Sequence, residues 1–290
     1  MKEMIIKAND ANQRLDKFLL KTFPNLSKSM MYKAIRNKKI KVNRKRCDFN
    51  QVLNENDSIL LFLPEDVLEE KVRKVQTRKP LDIVYEDENL LIVNKPYGLL
   101  CQSDTKDAQD CLVSRIQSYL VSTNQYDLHE HSFAPAICNR LDRNTTGLII
   151  AAKNAQSLRI VNEAIQNHKI HKYYKALVSG ELKESGNITL YLKKDGTKAL
   201  ISNKEKEGYK KSELNYSILE NRGNETWVDI ELKTGRFHQI RASFSSIGHP
   251  LVADTKYGYK GKKKRIDLQA YKLVFENIDL QLNQNVFEIH

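Results

Sequence analysis

One stretch of the chain places a carboxylate among arginines and hydroxyl side chains, directly before an apolar run. It extends from Asn139 to Ile150 and reads N-R-L-D-R-N-T-T-G-L-I-I. The polar part ends at Gly147, and the apolar part is short enough to be a buried strand. We therefore expect Asp142 to lie at a junction between a loop and a strand. An ionised carboxylate held in this way can act as a nucleophile in covalent catalysis.

The neighbours of Asp142 suit such a role. Arg140 and Arg143 flank it and are expected to keep it ionised. The hydroxyls of Thr145 and Thr146 can hold the loop through local hydrogen bonds to the backbone. The alternative is a structural arginine-aspartate pair that only orders the loop.

The letters R-L-D are a weak signal alone, and their context decides what they mean. They recur at residues 14–16 without the T-T-G continuation, where they are typical of a helix start. Around Asp142 the longer pattern resembles the central motif of RluA-type pseudouridine synthases, H-R-L-D-x-x-T-S-G followed by an apolar strand. Asn139 replaces the usual His, which removes a titratable group, and Thr146 replaces the usual Ser. In that family the Asp does the chemistry, so the resemblance implies that Asp142 is catalytic.

Two further blocks resemble motifs of the same family. Residues 172–178 read K-Y-Y-K-A-L-V, and the family pattern K-x-Y-x-A-L-V selects Tyr174. Residues 234–241 read T-G-R-F-H-Q-I-R and resemble T-G-R-x-H-Q-I-R. The resemblance implies that Tyr174 packs against a uracil ring and is a candidate base for its C5 proton. It also implies that Arg241 pairs with the catalytic carboxylate, whereas the alternative is an exposed arginine at a strand end.

The family isomerises uridine to pseudouridine by breaking the C1′–N1 bond, rotating the uracil and rejoining it through C5. The base must first be flipped out of its stack. Asp142 would add to C1′, add to C6 or remove a sugar proton, and the sequence leaves all three routes open. No cofactor and no metal are expected, because uracil is the electrophile and no redox step occurs.

The N-terminal fifth of the chain is strongly basic. Residues 1–63 contain 14 Lys/Arg and 6 Asp/Glu, so that +8 of the formal net charge of +12 lies there. Such a distribution is typical of a module that contacts phosphates. Its pattern predicts two helices, the second capped by Ser27, and then a basic hairpin. The side chains placed to contact RNA are Lys28, Lys33, Arg36, Lys41, Arg44, Lys45 and Arg46.

Residues from 14 to about 63 also resemble the S4 domain, with an R-L-D-x-x-L opening and a V-N hairpin. S4 modules bind structured RNA by shape and phosphate contacts. The resemblance implies 23S ribosomal RNA as the partner, and residues 27–32 favour the large-subunit synthase C type. Transfer RNA is the rival substrate. A non-catalytic RNA-binding or ribosome-assembly factor is the other alternative, disfavoured because the catalytic candidates are all present.

The expected fold class is α+β. Residues 1–63 form a small α+β S4-like domain, residues 64–80 a linker, and residues 81–290 a catalytic domain with a mixed, largely antiparallel sheet. The family places the N-K-P-x-G turn beside the cleft, so Lys95 and Arg140 join the RNA-binding candidates. Residues 181–211 are lysine-rich, and their pattern does not separate RNA contact from solubility.

Several classes of protein are excluded at this level. The four cysteines have no C-x-x-C spacing and are typical of reduced thiols in a cytosolic protein. Residues 129–131, H-E-H, are interpreted as a solvated loop, because a third metal ligand at motif spacing is missing. No stretch is long and apolar enough to span a membrane, and no signal peptide is expected. We therefore expect a cytoplasmic monomer.

Overall fold

The computed structural model describes residues 1–70, 79–103 and 110–290, and its elements confirm the α+β class. A small sheet forms in the N-terminal part, and a large, mostly antiparallel sheet forms in the rest. The part of the expected linker from residue 71 to 78 lies outside the described residues.

The N-terminal part is a small sheet covered by two helices. Ser27 caps the second helix as expected, because its hydroxyl accepts a hydrogen bond from the N–H of Met30 at 3.2 Å. The elements are β1 (Lys2–Ile5), a 3-10 turn (Ala8–Asp10), α1 (Leu15–Thr22), α2 (Lys28–Arg36), β2 (Ile40–Val42), β3 (Lys45–Arg46) and β4 (Ser58–Leu61).

The strand order β1-β4-β2-β3 puts the basic hairpin of β2 and β3 at one edge of this sheet. Phe18, Phe23 and Met31 are fully buried in the core of this domain. Val67 and Leu68 also pack on this core, although the sequence places them in the linker. The packed part of the domain therefore continues beyond residue 63.

The second domain is built around one sheet with the strand order β11-β10-β12-β13-β9-β14-β8-β6-β5, in which β7 also pairs with β8 and β15 with β14. Only β8 and β14 pair in parallel among the described strands. The elements are β5 (Ile83–Glu86), β6 (Leu90–Lys95), α3 (Leu112–Ser122), β7 (Ala136–Ile137), β8 (Thr146–Ala152), α4 (Ala155–Gln166), β9 (Ile170–Ser179), β10 (Gly186–Asp195), β11 (Lys198–Ser202), β12 (Lys210–Arg222), β13 (Glu225–Leu232), α5 (Gln239–Ser246), a 3-10 turn (Thr255–Tyr257), β14 (Leu268–Phe275) and β15 (Val286–Glu288).

Alternation along the central strands distributes their side chains between two cores. Leu91 and Val93 of β6 face the core that also contains Tyr174. Leu90 and Ile92 face the opposite core, to which α4 contributes apolar side chains. Because both faces are covered here, β6 from Leu90 to Val93 and β8 from Leu148 to Ala152 are apolar without a break, as a doubly buried part of a sheet requires.

Gly147 allows β8 and β14 to pair in parallel. Its φ is +115°, and a Cβ at this position would lie 2.2 Å from the backbone oxygen of Ala270. Glycine lacks a Cβ and tolerates positive φ, so it alone fits here. The glycine that follows the catalytic candidate is therefore required by strand pairing.

The two domains contact each other around Asp10. This carboxylate is fully buried, and its Oδ1 accepts hydrogen bonds from the N–H and the hydroxyl of Ser132 at 3.0 and 2.6 Å. Beside it, Nδ1 of His131 lies 2.9 Å from Glu70. The interpretation of residues 129–131 as a solvated loop holds for His129, which is exposed, and is wrong for Glu130 and His131, which are half-buried against the N-terminal domain.

Candidate active site

Asp142 lies where the chain enters β8, as expected. A turn follows it, closed by a hydrogen bond from the N–H of Thr145 to the backbone oxygen of Asp142 at 3.1 Å. Its side chain is 27% exposed. Two cavities of about 300 and 830 Å³ adjoin this side chain, so that it is accessible from both.

Lys95 supports the loop of Asp142 from inside the protein. Its ammonium donates to the backbone oxygens of Pro96, Leu99 and Arg143 at 3.0, 2.9 and 3.1 Å. Burial lowers the pKa of Lys95 to about 8. The prediction that Lys95 binds RNA is wrong, because its side chain is fully buried and bound to three carbonyl groups.

Arg241 links Asp142 to a second carboxylate. It lies in the first turn of α5 and not at a strand end. Its Nη1 contacts Oδ2 of Asp142 at 3.3 Å, and its Nε and Nη2 bind Asp254 at 2.6 and 2.9 Å. The two-point contact of the guanidinium is therefore with Asp254, which is 1% exposed. This pair orients the remaining nitrogen toward Asp142.

Burial dominates the ionisation of Asp142. Desolvation raises the pKa of its carboxyl above the ordinary 3.8, although Arg241 acts in the opposite direction. The expectation that Arg140 and Arg143 keep it ionised is wrong. Arg140 is exposed to solvent, and Nε of Arg143 donates to a backbone oxygen in the neighbouring turn at 3.1 Å. The opposing charge comes instead from a residue 99 positions further along the chain.

Tyr174 lies on β9 and lines the smaller cavity together with Asp142. Its side chain is 5% exposed. Burial and the negative charge of Asp142 raise the pKa of this phenol above the ordinary 10. This direction disfavours the phenol as a base for the C5 proton, and that role stays a prediction. Packing against a ring in the cavity remains compatible with its position.

His238 is a site residue that the sequence interpretation missed. It precedes α5 directly with a φ of +53°, and its Nε2 lies 3.6 Å from Oδ2 of Asp142. Its Nδ1 lies 3.0 Å from the hydroxyl of Tyr257. Burial, followed by the charge of Arg241, lowers the pKa of His238 to about 4, so the ring is neutral near pH 7. The available signal was its place in the T-G-R-F-H-Q-I-R block.

Asn139 uses both ends of its amide on the backbone of β8. Its Oδ1 accepts from the N–H of Ile150 at 2.8 Å, and its Nδ2 donates to the oxygen of Leu148 at 3.2 Å. The residue that replaces the usual His thus connects the loop of Asp142 to the strand.

The two cavities beside Asp142 differ in character. Leu232, Leu268 and Tyr174 give the smaller cavity an apolar wall. Cations surround the larger one, namely Arg140, Arg143, Lys194, Arg236, Lys256 and Lys264. Arg140 and Arg236 line both cavities, and Lys172 also lines the smaller one. A cavity with an apolar wall beside a more basic cavity fits a planar base joined to a phosphate backbone.

The RNA-binding candidates of the N-terminal domain are at its surface. Six are exposed and Lys41 is half-buried; the exposed ones are Lys28, Lys33, Arg36, Arg44, Lys45 and Arg46. Their contacts with RNA stay a prediction. Within the described ranges, no three His, Cys, Asp or Glu side chains are grouped to hold a metal ion. Over the same ranges, no helix has the length and apolarity needed to cross a bilayer.

Two family models match the chain. The model described as RNA pseudouridylate synthase matches residues 89–246, more than half of the chain, and includes Asp142, Tyr174 and Arg241. The model described as S4 domain matches residues 13–59. The two matches fall on the two domains described above.

Similar proteins are found in bacteria and among solved structures. An uncharacterized RNA pseudouridine synthase of Mycoplasma capricolum is 37% identical over 294 residues, which cover 98% of this chain and 94% of that protein. Ribosomal large subunit pseudouridine synthase D of Escherichia coli is 29% identical, over 95% of this chain and 82% of that protein. The structure of human RNA Pseudouridylate Synthase Domain Containing 1 covers 75% of this chain and 85% of its own, with a TM-score of 0.58 and 23% identity. This last likeness shows the fold.

Proposed function

The chain belongs to the RNA pseudouridylate synthase family, and on this premise we propose that it isomerises uridines of 23S ribosomal RNA with Asp142 as the nucleophile. The observation that carries the proposal is the position of this carboxylate between a cavity with an apolar wall and a larger, more basic cavity. Arg241 contacts one of its oxygens at 3.3 Å. Such a contact aims the group without blocking the other oxygen.

The two cavities divide the substrate between them. The smaller, of about 300 Å³, takes the flipped uracil against Tyr174, and the larger takes the sugar-phosphate backbone. Extrusion of the base costs a few kcal/mol of stacking, which the phosphate contacts offset. Adduct formation at C1′ or C6, and removal of a sugar proton, each begin at an oxygen of Asp142.

Support for a large structured RNA comes from the N-terminal domain. It matches the S4 model and carries +8 of the net charge of +12. The Escherichia coli relative is called a ribosomal large subunit synthase of type D, whereas residues 27–32 favour type C. Action on ribosomal RNA would place the enzyme in the cytoplasm. Transfer RNA is the competing substrate within the same chemistry.

Carbodiimide mapping of pseudouridines in total RNA, from cells with and without this gene, tests the proposal. We expect loss at discrete loop or junction positions of 23S RNA, restored by the wild-type gene and not by an Asp142→Asn gene. Loss confined to transfer RNA would refute the ribosomal part and leave the chemistry intact. Loss at no position would favour a non-catalytic RNA-binding factor.

A tritium-release assay separates substrate classes in vitro. With [5-³H]uridine in transcribed 23S RNA, isomerisation releases tritium from C5. We expect release from the folded transcript and little from short unstructured oligomers, because the basic N-terminal domain and the cleft must be engaged together. Equal rates on both substrates would show that RNA shape is not recognised.

A further inference from the structure

Two hydrogen bonds lead from the backbone of β11 through Tyr257 to His238, whose ring then approaches Asp142. The N–H of Ala199 donates to the hydroxyl of Tyr257 at 2.8 Å, and this hydroxyl lies 3.0 Å from Nδ1 of His238. The other ring nitrogen, Nε2, lies 3.6 Å from the carboxylate.

The direction of these bonds follows from proton counting. Tyr257 is 3% exposed, and its hydroxyl has one proton and two lone pairs. One lone pair is occupied by the N–H of Ala199. The proton needs a buried acceptor, and among the described residues Nδ1 of His238 lies at the right distance to accept it. A ring whose Nδ1 accepts must, when neutral, carry its proton on Nε2.

The approach to the carboxylate is one-sided. Both Nη1 of Arg241 and Nε2 of His238 approach Oδ2 of Asp142, at 3.3 and 3.6 Å. Within the described ranges, Oδ1 has no hydrogen-bond partner. A distance of 3.6 Å is too long for a hydrogen bond, and such catalytic contacts commonly shorten when substrate binds.

We propose that His238 is a positioning residue, held by Tyr257 as the neutral Nε2–H form, which donates to Oδ2 of Asp142 and leaves Oδ1 as the reacting oxygen. A neutral donor suits this place. A second cation beside Arg241 would stabilise the carboxylate more strongly and weaken it as a nucleophile. The pKa of His238 is lowered to about 4, which keeps the donor neutral at the pH of the cytoplasm.

The protonation state is tested on the free protein, without RNA. Long-range ¹H–¹⁵N correlation spectra of ¹⁵N-labelled protein distinguish the two neutral tautomers from the imidazolium. We expect one of the seven histidines to show a protonated Nε2 and a bare Nδ1 from about pH 5.5 to 8, and its signals to vanish in a His238→Asn variant. In Tyr257→Phe, we expect a mixture of tautomers. An Nδ1–H form or an imidazolium at neutral pH would overturn the proposal.

The positioning role is tested with two amides of different reach. Asn tolerates the positive φ of residue 238 better than Gln does, but only Gln is long enough to place an N–H near Asp142. We expect His238→Asn to lower kcat by about tenfold or more with little change in KM, the cost of one weakened hydrogen bond to a charged group. We expect His238→Gln to keep kcat within about fivefold of wild type.

A purely structural role predicts the opposite order, since Asn suits the backbone better. If kcat of His238→Asn equals or exceeds kcat of His238→Gln, the positioning role is overturned. Thermal melting of both variants checks that they fold. If His238→Asn does not fold, the tautomer measurement on the wild-type protein still decides the proposal. This kinetic test rests on the proposed function. If the wild type forms no pseudouridine, that function fails, while the spectra still report on His238.

Discussion

At the scale of single residues, Asp142 and Asp254 share one guanidinium but lie in different surroundings. Asp254 is almost fully buried and is held at two points, whereas Asp142 makes one longer contact and faces the cavities. The carboxylate of Asp254 is therefore suited to fix Arg241, and that of Asp142 is suited to react. Substitution of Asp254 is therefore expected to affect mainly the stability of the fold, and substitution of Asp142 mainly catalysis.

Asp142→Asn should abolish pseudouridine formation without lowering the thermal midpoint. The folded protein holds the Asp142 proton more tightly than the unfolded chain does, because its pKa is raised. Ionised Asp142 therefore costs stability at neutral pH, and the neutral amide removes that cost. Asp254→Asn is the matched control and should destabilise the fold by about 3 kcal/mol, since it breaks a buried pair. Tritium release and thermal unfolding measure both effects; substantial turnover by Asp142→Asn would sink the nucleophile assignment.

Arg241→Lys should lose most activity although it keeps the charge. One ammonium cannot contact Asp254 at two points and Asp142 at a third, as the planar guanidinium does. We expect kcat to fall by about 10²-fold, the typical effect of removing one well-placed charged donor. Binding of RNA, measured by filter retention, should change little. Wild-type kcat in this variant would show that Arg241 serves the fold alone.

Acid should destabilise the protein in part through His238. Its pKa is about 4 in the folded state against the ordinary 6.5, so between these values the unfolded chain binds a proton that the folded chain lacks. The free energy of unfolding therefore falls as pH drops from 6.5 to about 4, by up to about 3 kcal/mol for this group. The raised pKa of Asp142 acts in the opposite sense and is present in wild type and variant alike. Denaturant titrations of wild type and His238→Gln should show a flatter pH dependence in the variant; identical curves would contradict this.

The sequence predicts the positions of Asp142 and Arg241 better than those of the groups that hold them. Asp142 lies at the predicted junction, and the predicted contact of Arg241 with it forms. The role of Asp254 is not predictable from local spacing, because its contact with Arg241 depends on the fold. The exposure of Lys95 is wrongly predicted for a related reason. A lysine next to a Pro-x-Gly turn is expected to be exposed, but Lys95 is the last residue of β6 and its ammonium is buried against the loop of Asp142.

At the scale of elements, a regular spacing of apolar residues predicts the helices correctly, whereas a less regular spacing leaves the length or the type of an element undecided. The helices near residues 15–22 and 28–36 follow their apolar spacing. In residues 181–211 the sequence predicts short strands and turns, and β10 and β11 form there and extend the large sheet at its edge. Ile188, Leu190 and Leu192 of β10 alternate as buried residues, but the strand runs for ten residues because it continues through exposed lysines. A strand end at Arg241 is one reading of its sequence, but the spacing of Ile240 and Phe244 is helical and both are buried on α5.

The basic face of α2 should carry much of the salt dependence of RNA binding. Lys28, Lys33 and Arg36 are exposed on this one helix. Changing all three to Gln should lower the slope of log K against log salt by about 0.7 to 0.9 for each phosphate interaction that is removed. Exposed lysines of the same domain provide the control, as Lys7→Gln, Lys17→Gln and Lys21→Gln combined. Equal slopes in the two triple variants would show that α2 is not the surface that binds RNA.

At the scale of the whole molecule, the N-terminal domain is fastened to the catalytic domain, so its deletion is a poor test of RNA binding. Removing it would expose Ser132 and the neighbouring surface. The N–H and the hydroxyl of Ser132, which now donate to Asp10, would lose this acceptor. Substitutions that keep both domains folded give a cleaner result. A clamp that is fixed relative to the cleft can position a structured RNA, whereas one on a free tether adds only effective concentration.

Asp10→Ala should therefore uncouple RNA capture from catalysis. Oδ1 of Asp10 accepts two hydrogen bonds from Ser132 across the interface, and hydrogen bonds to a charged group contribute about 1.5–3 kcal/mol each. Asp16→Ala is the matched control, because Asp16 is also buried but binds Arg14 and the N–H of Lys17 inside its own domain. For Asp10→Ala we expect a larger radius of gyration in X-ray scattering, a nearly unchanged Kd for RNA, and kcat/KM on folded 23S transcripts lower by about tenfold, equivalent to about 1.4 kcal/mol. Asp16→Ala should lower stability and leave the radius of gyration and the ratio of kcat/KM to affinity unchanged. If both variants behave alike, the interface has no part in placing the RNA, and the S4-like domain acts as a tethered clamp.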